Sequence, residues 1–141
     1  MVGTMGGMRC RLVELPVVAD PQGNLAFAEA EADIPFPIAR VFHVYDVPVG
    51  ARRGGHAHFE LEEVVFCLAG ALEMVVDDGE SRRTYRLDDP RQGLYLPPMV
   101  WYDIGAFAPG TVYMVLASAK FDEADYIRDY DEYLAATRAV R

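Results

Sequence analysis

The stretch Gly50–Val64, GARRGGHAHFELEEV, decides the fold and poses the chemical question. It sets His56 and His58 one residue apart, with Glu62 four residues beyond the second. In an extended chain successive side chains point to opposite faces, so the two imidazoles share one face and Glu62, also at even spacing, joins them. Two imidazoles and a carboxylate gathered in this way can hold a divalent metal or can act as acid and base on a substrate without one.

Upstream, ARVFHVYDV is rich in β-branched and aromatic residues and closes on Pro48 and Gly50, the local chemistry of a strand running into a loop. Downstream, EEVVFCLAG and ALEMVVDDGE meet at Gly70, and the second ends in Asp78-Gly79, a strong hairpin signal. SRRTYRLDD, QGLYLPPMVWYDIGAF and TVYMVLASA add three further strand-like runs. Near the N-terminus, Asp20–Leu25 (DPQGNL) supplies Pro and Gly for a tight turn between RLVELPVV and LAFAEA, which predicts an early hairpin. Short strands about ten residues apart, punctuated by Gly, Pro and Asp, predict an all-β antiparallel sandwich or small barrel. In the tail EADYIRDYDEYLAATRAV, Tyr126, Tyr130, Tyr133 and Leu134 recur at spacings of three and four, which predicts a short C-terminal helix.

A chain of 141 residues, 52% of them hydrophobic, suits one domain over 1–141, with 1–9 as a flexible N-terminal extension. The net charge of −9, from 13 basic against 22 acidic side chains, argues against a nucleic-acid partner, because a phosphate backbone selects basic faces. No apolar run suits a signal peptide or reaches the roughly 20 residues of a membrane span, so the expectation is a soluble, cytoplasmic protein with no membrane partner. Cys10 and Cys67 lie far apart and match no paired zinc spacing, which speaks against a disulfide framework and makes Cys67 a core residue.

The spacing from Gly50 through His56, His58 and Glu62 resembles the first sequence motif of the cupin superfamily of small β-barrels. Members commonly bind a divalent metal with two His and one Glu there, and with a further His from a later motif. The corresponding later stretch here, GLYLPPMVWYD, has no histidine, so a standard four-ligand site lacks a ligand, although a three-ligand site stays open. A more specific resemblance runs from about Leu12 to Leu134. RGGHAHFELEEVVFCLAGALEMVVDDG, GLYLPPMVWYDI, VLASAKFDEADYIRDYDEYL and RVFHVYDVP together look like the WxcM-like branch of cupins, the nucleotide-sugar 3,4-ketoisomerases.

That resemblance implies a cupin-type jelly roll, a homodimer with exchanged N-terminal strands, and metal-free isomerisation of dTDP-4-keto-6-deoxyglucose to a 3-keto sugar, with no cofactor. It implies His56 as the base that takes the C3 proton and His58 as donor to the carbonyl oxygen or proton relay, a task suited to a group whose ordinary pKa is about 6.5. Arg53 matches the family's diphosphate-binding arginine, since a guanidinium offers paired donors to phosphate oxygens. Arg40 is expected either to meet substrate or to pair with Glu62 or Glu63. Trp101 and Tyr95 are expected in the cavity wall or as plain core aromatics, and Glu62 among the substrate contacts. Gln22 and Tyr102 occupy positions that differ between members forming different C4 configurations.

The sequence also departs from its relatives. Phe42 stands where members commonly carry a tyrosine that assists catalysis, leaving Tyr45 or His43 as possible substitutes. Glu63 stands where many have Gln, a change expected to raise a neighbouring imidazole's pKa. A non-catalytic nucleotide-sugar-binding cupin, a nucleotide-sugar epimerase and a metal-dependent cupin enzyme are the alternatives.

Overall fold

The computed structural model describes residues 9–140; apart from Arg9, the expected N-terminal extension therefore lies outside the described residues. The chain runs through β1 (Arg11–Glu14), β2 (Val17–Val18), β3 (Leu25–Ala26), β4 (Arg40–Val44), β5 (Arg53–His58) and β6 (Glu63–Ala69). It continues through β7 (Leu72–Asp77), β8 (Arg82–Leu87), β9 (Gln92–Leu96), β10 (Trp101–Gly105), β11 (Val112–Ala117) and β12 (Tyr126–Ile127) into the helix α1 (Tyr130–Val140).

Two five-stranded sheets form, ordered β1-β9-β6-β11-β4 and β12-β5-β10-β7-β8, with β2 and β3 paired as a separate ribbon. All the paired strands are antiparallel. Val65, Cys67, Leu94, Leu96 and Val115 of the first sheet pack against Leu72, Met74, Val76, Leu87 and Ile104 of the second, so the main core is the layer between them. The outer faces are not left to water. Ile34 and Phe36 cover Val13, Val64, Phe66 and Leu116 on one side, and Tyr133 of α1 packs on Ala57, Trp101 and Ile127 on the other. Cover on both faces explains why β6 reads as the continuous apolar run VVFC rather than as an alternation.

The all-β class and the C-terminal helix follow the sequence expectation. Gly70, between β6 and β7, turns the chain from one sheet into the other with φ +78, where a Cβ would lie 2.5 Å from the Thr111 hydroxyl oxygen. The Asp78-Gly79 hairpin forms between β7 and β8, closed by the Asp78 N–H donating to the Ser81 carbonyl at 3.2 Å. Two expectations need correction. QGLYLPPMVWYDIGAF is two strands in different sheets, β9 and β10, because Pro97 and Pro98 have no N–H to continue a ladder. Tyr126 is not helical: it pairs with His58 in β12, and α1 starts only after Asp129, whose carboxylate accepts the Glu132 N–H at 3.0 Å as an N-cap. Among the described residues no helix is long and apolar enough to cross a membrane. Cys10 and Cys67 are free and buried.

Candidate active site

The histidine pair is built on β5, held between β10 and β12. Gly54 has φ +82, and a Cβ there would lie 2.8 Å from the Tyr102 carbonyl oxygen, so this position needs glycine for the two backbones to approach. The approach sets His56 opposite Tyr102, at a register shift between Tyr102 and Asp103. On the other edge of β5, Tyr126 lies opposite His58. The His56 and His58 rings are 4.9 Å apart between centroids, and Tyr126 touches both, at 5.0 and 4.4 Å. The Arg128 guanidinium lies 4.3 Å from the centre of the Tyr126 ring and is tied to Glu123.

A chain of polar contacts runs behind the rings. His56 Nε2 is 3.1 Å from the Tyr102 hydroxyl oxygen, and that hydroxyl donates to Glu63 Oε1 at 2.8 Å. His58 Nδ1 approaches the same Glu63 oxygen to 3.9 Å. The other ring nitrogens, His56 Nδ1 and His58 Nε2, are buried without a hydrogen-bond partner, as are Nε and one terminal nitrogen of Arg40. Buried polar atoms are rarely left unpaired in a native protein, so these orphaned atoms mark where a ligand's polar groups are expected to complete the network.

Burial dominates the titration of this cluster. It lowers His56 to about 4, helped by the positive charge of Arg128, and lowers His58 to about 3, helped by His56, Arg40 and Arg128. Burial raises Glu63 to about 7, opposed by the Tyr102 hydrogen bond and by Arg40. Against the expectation that Glu63 would raise a neighbouring imidazole's pKa, burial sets the direction of both shifts, and Glu63 is not among the groups that cause either. Both histidines are neutral near pH 7, each with one nitrogen lone pair and one N–H.

The other expected site residues separate into those near the pair and those elsewhere. Arg40 lines a cleft of about 620 Å³ together with Glu62, Lys120 and Tyr126, and its guanidinium lies 5.2 Å from the Phe42 ring centre. Arg53 is exposed and donates from Nε to the Tyr113 hydroxyl at 2.9 Å. Glu62 does not join the histidines. Its carboxylate accepts the Tyr95 hydroxyl at 2.7 Å, and Glu63 faces the pair instead, because β5 ends at His58 and the turn before β6 breaks the alternation. Trp101 lies under α1, 5.3 Å from Tyr130 and 5.7 Å from Tyr133 between ring centres, since it precedes inward-facing Tyr102 and must point outward. Gln22 is exposed in the early turn, its backbone N–H on Asp20, and no hydrogen bond joins it to the other expected residues.

Neither suggested substitute for the missing Phe42 hydroxyl reaches the pair: His43 and Tyr45 are exposed and stack on each other at 5.7 Å. The hydroxyl that does reach it is that of Tyr102, through its hydrogen bond to His56, while Tyr126 packs its ring on both imidazoles. Sequence reading missed Tyr126 because its spacing to Tyr130 mimicked a helix; the isoleucine after it, in an isolated Tyr-Ile pair, was the available strand signal. Among the described residues no three His, Cys, Asp or Glu side chains are grouped as metal ligands would be.

The family model described as FdtA, WxcM-like, C-terminal, matches residues 8–138. The chain belongs to the WxcM-like family. Among members, it is 40% identical over 126 residues to the TDP-4-oxo-6-deoxy-alpha-D-glucose-3,4-oxoisomerase of Aneurinibacillus thermoaerophilus, covering 89% of this chain and 91% of that one. The crystal structure of the sugar 3,4-ketoisomerase QdtA from Thermoanaerobacterium thermosaccharolyticum in complex with TDP superposes with a TM-score of 0.90 at 37% identity, over 93% of this chain and 96% of QdtA. A QdtA variant with one histidine replaced by asparagine, solved with TDP-4-keto-6-deoxyglucose, gives 0.90 at 36%, over 92% and 94% of the two chains. At this similarity the family fold extends over nearly the whole chain.

Proposed function

We propose that the chain is a nucleotide-sugar 3,4-ketoisomerase that converts dTDP-4-keto-6-deoxyglucose to a 3-keto-6-deoxyhexose without a metal or redox cofactor. The observation that carries this reading is the pair of neutral imidazoles 4.9 Å apart, His58 buried and His56 half-buried, each with one buried nitrogen that has no hydrogen-bond partner. The C3 hydrogen is acidic because the C4 carbonyl adjoins it. His56 takes that proton, and the C–H electron pair becomes the C3–C4 double bond of an enediol. His58 carries the hydroxyl proton from the C3 oxygen to the C4 oxygen, and the proton held by His56 returns to C4. An acid and base so placed contribute about 10²- to 10⁴-fold. Arg53 binds the diphosphate from the mouth of β5, and the unpartnered nitrogens of Arg40 offer a second cationic contact.

Proton NMR of dTDP-4-keto-6-deoxyglucose incubated with the protein in deuterated water is the direct test. A 3-keto product supports the reading; deuterium at C4 shows that the proton held by His56 exchanges with solvent before it returns, and the H4–H5 coupling of product made in ordinary water gives the C4 configuration. Substrate that binds without exchange at C3 makes the protein the sugar-binding module suggested by Phe42. Chelator-treated protein is expected to keep its activity; loss restored by a divalent ion would overturn the metal-free route.

The reading includes a homodimer with exchanged N-terminal strands, in which β1, paired here with β9 of its own chain, takes the same place on the partner; the apolar side chains left in solvent at Leu12, Val17, Val18, Leu25 and Phe27 support the dimer. Light scattering at micromolar concentration should give twice the chain mass. Two buried free thiols are compatible with the reducing cytoplasm, where we place the enzyme.

A further inference from the structure

We propose that Glu63 and Tyr102 form a proton relay that reverses direction during the reaction and so converts His56 from base to acid. The proposal deepens the isomerase reading and rests on it for its catalytic meaning. It starts from the proton count along one chain of contacts, His56 Nε2 to the Tyr102 hydroxyl at 3.1 Å and that hydroxyl to Glu63 Oε1 at 2.8 Å. Tyr102 has a single hydroxyl proton. When it donates to the ionised Glu63, its oxygen accepts from His56, which places the imidazole proton on Nε2 and a lone pair on the unpartnered Nδ1. When Glu63 is protonated the order inverts: Glu63 donates to Tyr102, Tyr102 donates to Nε2, and the imidazole proton sits on Nδ1.

Catalysis moves the chain from the first arrangement to the second. Nδ1 takes the C3 proton as Nε2–H passes to Tyr102 and the Tyr102 proton passes to Glu63. His56 is neutral before and after, and the negative charge of Glu63 has moved to the enediolate oxygen. The second arrangement presents Nδ1–H, which is what redelivery to C4 requires, and that delivery runs the chain backwards and regenerates the Glu63 carboxylate. No proton is gained or lost over the cycle.

Burial makes this route preferable to a histidine acting alone. The site holds His56 near 4, so an imidazolium there is strongly disfavoured, whereas Glu63 near 7 stands close to balance between its two forms. The groups facing the chain are Arg40 from β4, His58 from β5, Tyr126 from β12 and Tyr113 from β11. Arg128, the Gly54 backbone, Asp103 and Glu123 act at its His56 end, and the Gly54 backbone favours the protonated ring. Arg40 favours the ionised carboxylate, and burial opposes it. Glu63 is 2% exposed and Tyr102 5%, so bulk water does not compete for these hydrogen bonds.

Nitrogen-15 NMR of the histidine rings in the ligand-free protein tests the relay without requiring turnover. The chain has three histidines, and His56→Asn identifies the His56 signals. In the wild type the His56 proton is expected on Nε2 at pH 8 and on Nδ1 at pH 5.5, with no imidazolium at either. Glu63→Gln and Tyr102→Phe should each abolish that pH dependence and lower kcat with little change in KM, and the double variant should be no worse than the more impaired single one. A His56 tautomer that does not change with pH in the wild type, or that still changes in either variant, overturns the relay. A tautomer switch in a protein that does not isomerise the sugar leaves the relay standing and sinks the isomerase reading instead.

Discussion

Tyr126 meets His58 edge to face, with ring centroids 4.4 Å apart and planes at 70°, from a two-residue strand that leads into the C-terminal helix. The second imidazole is thus fixed from outside β5 by a segment nearly seventy residues later in the chain. Aromatic pairs of this geometry contribute about 0.5–1.5 kcal/mol beyond area burial, and Tyr126 makes two such contacts. Tyr126→Ala is expected to lower kcat at least tenfold with a smaller change in KM, and Tyr126→Phe to restore most of it. Steady-state kinetics on the two variants check this, and a Phe variant as poor as Ala would shift the role from the ring to the hydroxyl.

The two histidines should separate in their effects. His56→Asn is expected to abolish both turnover and C3 deuterium exchange while leaving substrate affinity nearly unchanged, because the lost interaction belongs to the transition state. His58→Asn should retain measurable exchange if its task is the hydroxyl proton, as proposed. Exchange at the wild-type rate in His56→Asn would transfer the base to His58.

Arg53 should act on binding rather than chemistry. If Arg53 makes the proposed charge-assisted contact to the diphosphate, removing it costs about 1.5–3 kcal/mol. Arg53→Ala is therefore expected to weaken TDP binding by calorimetry about ten- to a hundred-fold, with kcat at saturation little changed. Unaltered affinity would leave Arg53 as the partner of Tyr113 alone.

Acid should destabilise the fold through the same cluster to which we assign the chemistry. The folded chain refuses protons at His56 and His58 until about 4 and about 3, whereas the unfolded chain takes them near 6.5. Glu63 works the other way, holding in the folded state from about 7 a proton that the unfolded chain binds only near 4.5. Between 6.5 and 4.5 the unfolded state is therefore ahead by two protons less one, and stability falls as pH falls. His58→Gln removes one histidine from this balance and should flatten urea-unfolding stability over that window. An equally steep acid limb in the variant would place the pH dependence elsewhere.

Much of this was legible before any coordinates. Side-chain alternation put His56 and His58 on one face, and Asp78-Gly79 marked its hairpin, because both signals are local. What was not legible depends on how the chain turns between strands. Glu62 and Glu63 differ by one residue, and the turn after His58 decides which carboxylate faces the imidazoles, so even spacing from the histidines named the wrong one. The same limit hid Tyr126, whose strand exists only because β5 presents a free edge to it. The direction of the imidazole shifts was equally inaccessible, since it is set by burial between two sheets and not by neighbouring letters.

The strand order has a consequence for how the protein is made. β1 finds its partner in β9, β4 in β11, and β5 in β10 and β12, so none of these strands can pair while the first half of the chain is leaving the ribosome. Among the described residues only the β2–β3 and β7–β8 hairpins close locally. Strands such as RLVE and RVFHV must therefore stay unpaired until β9 to β11 have been synthesised, and the histidine pair receives its last contact from residues translated almost at the end. Topologies of this kind fold slowly and expose strand edges on the way. Yield in expression should consequently respond to chaperone supply and growth temperature more than to any single side chain of the site.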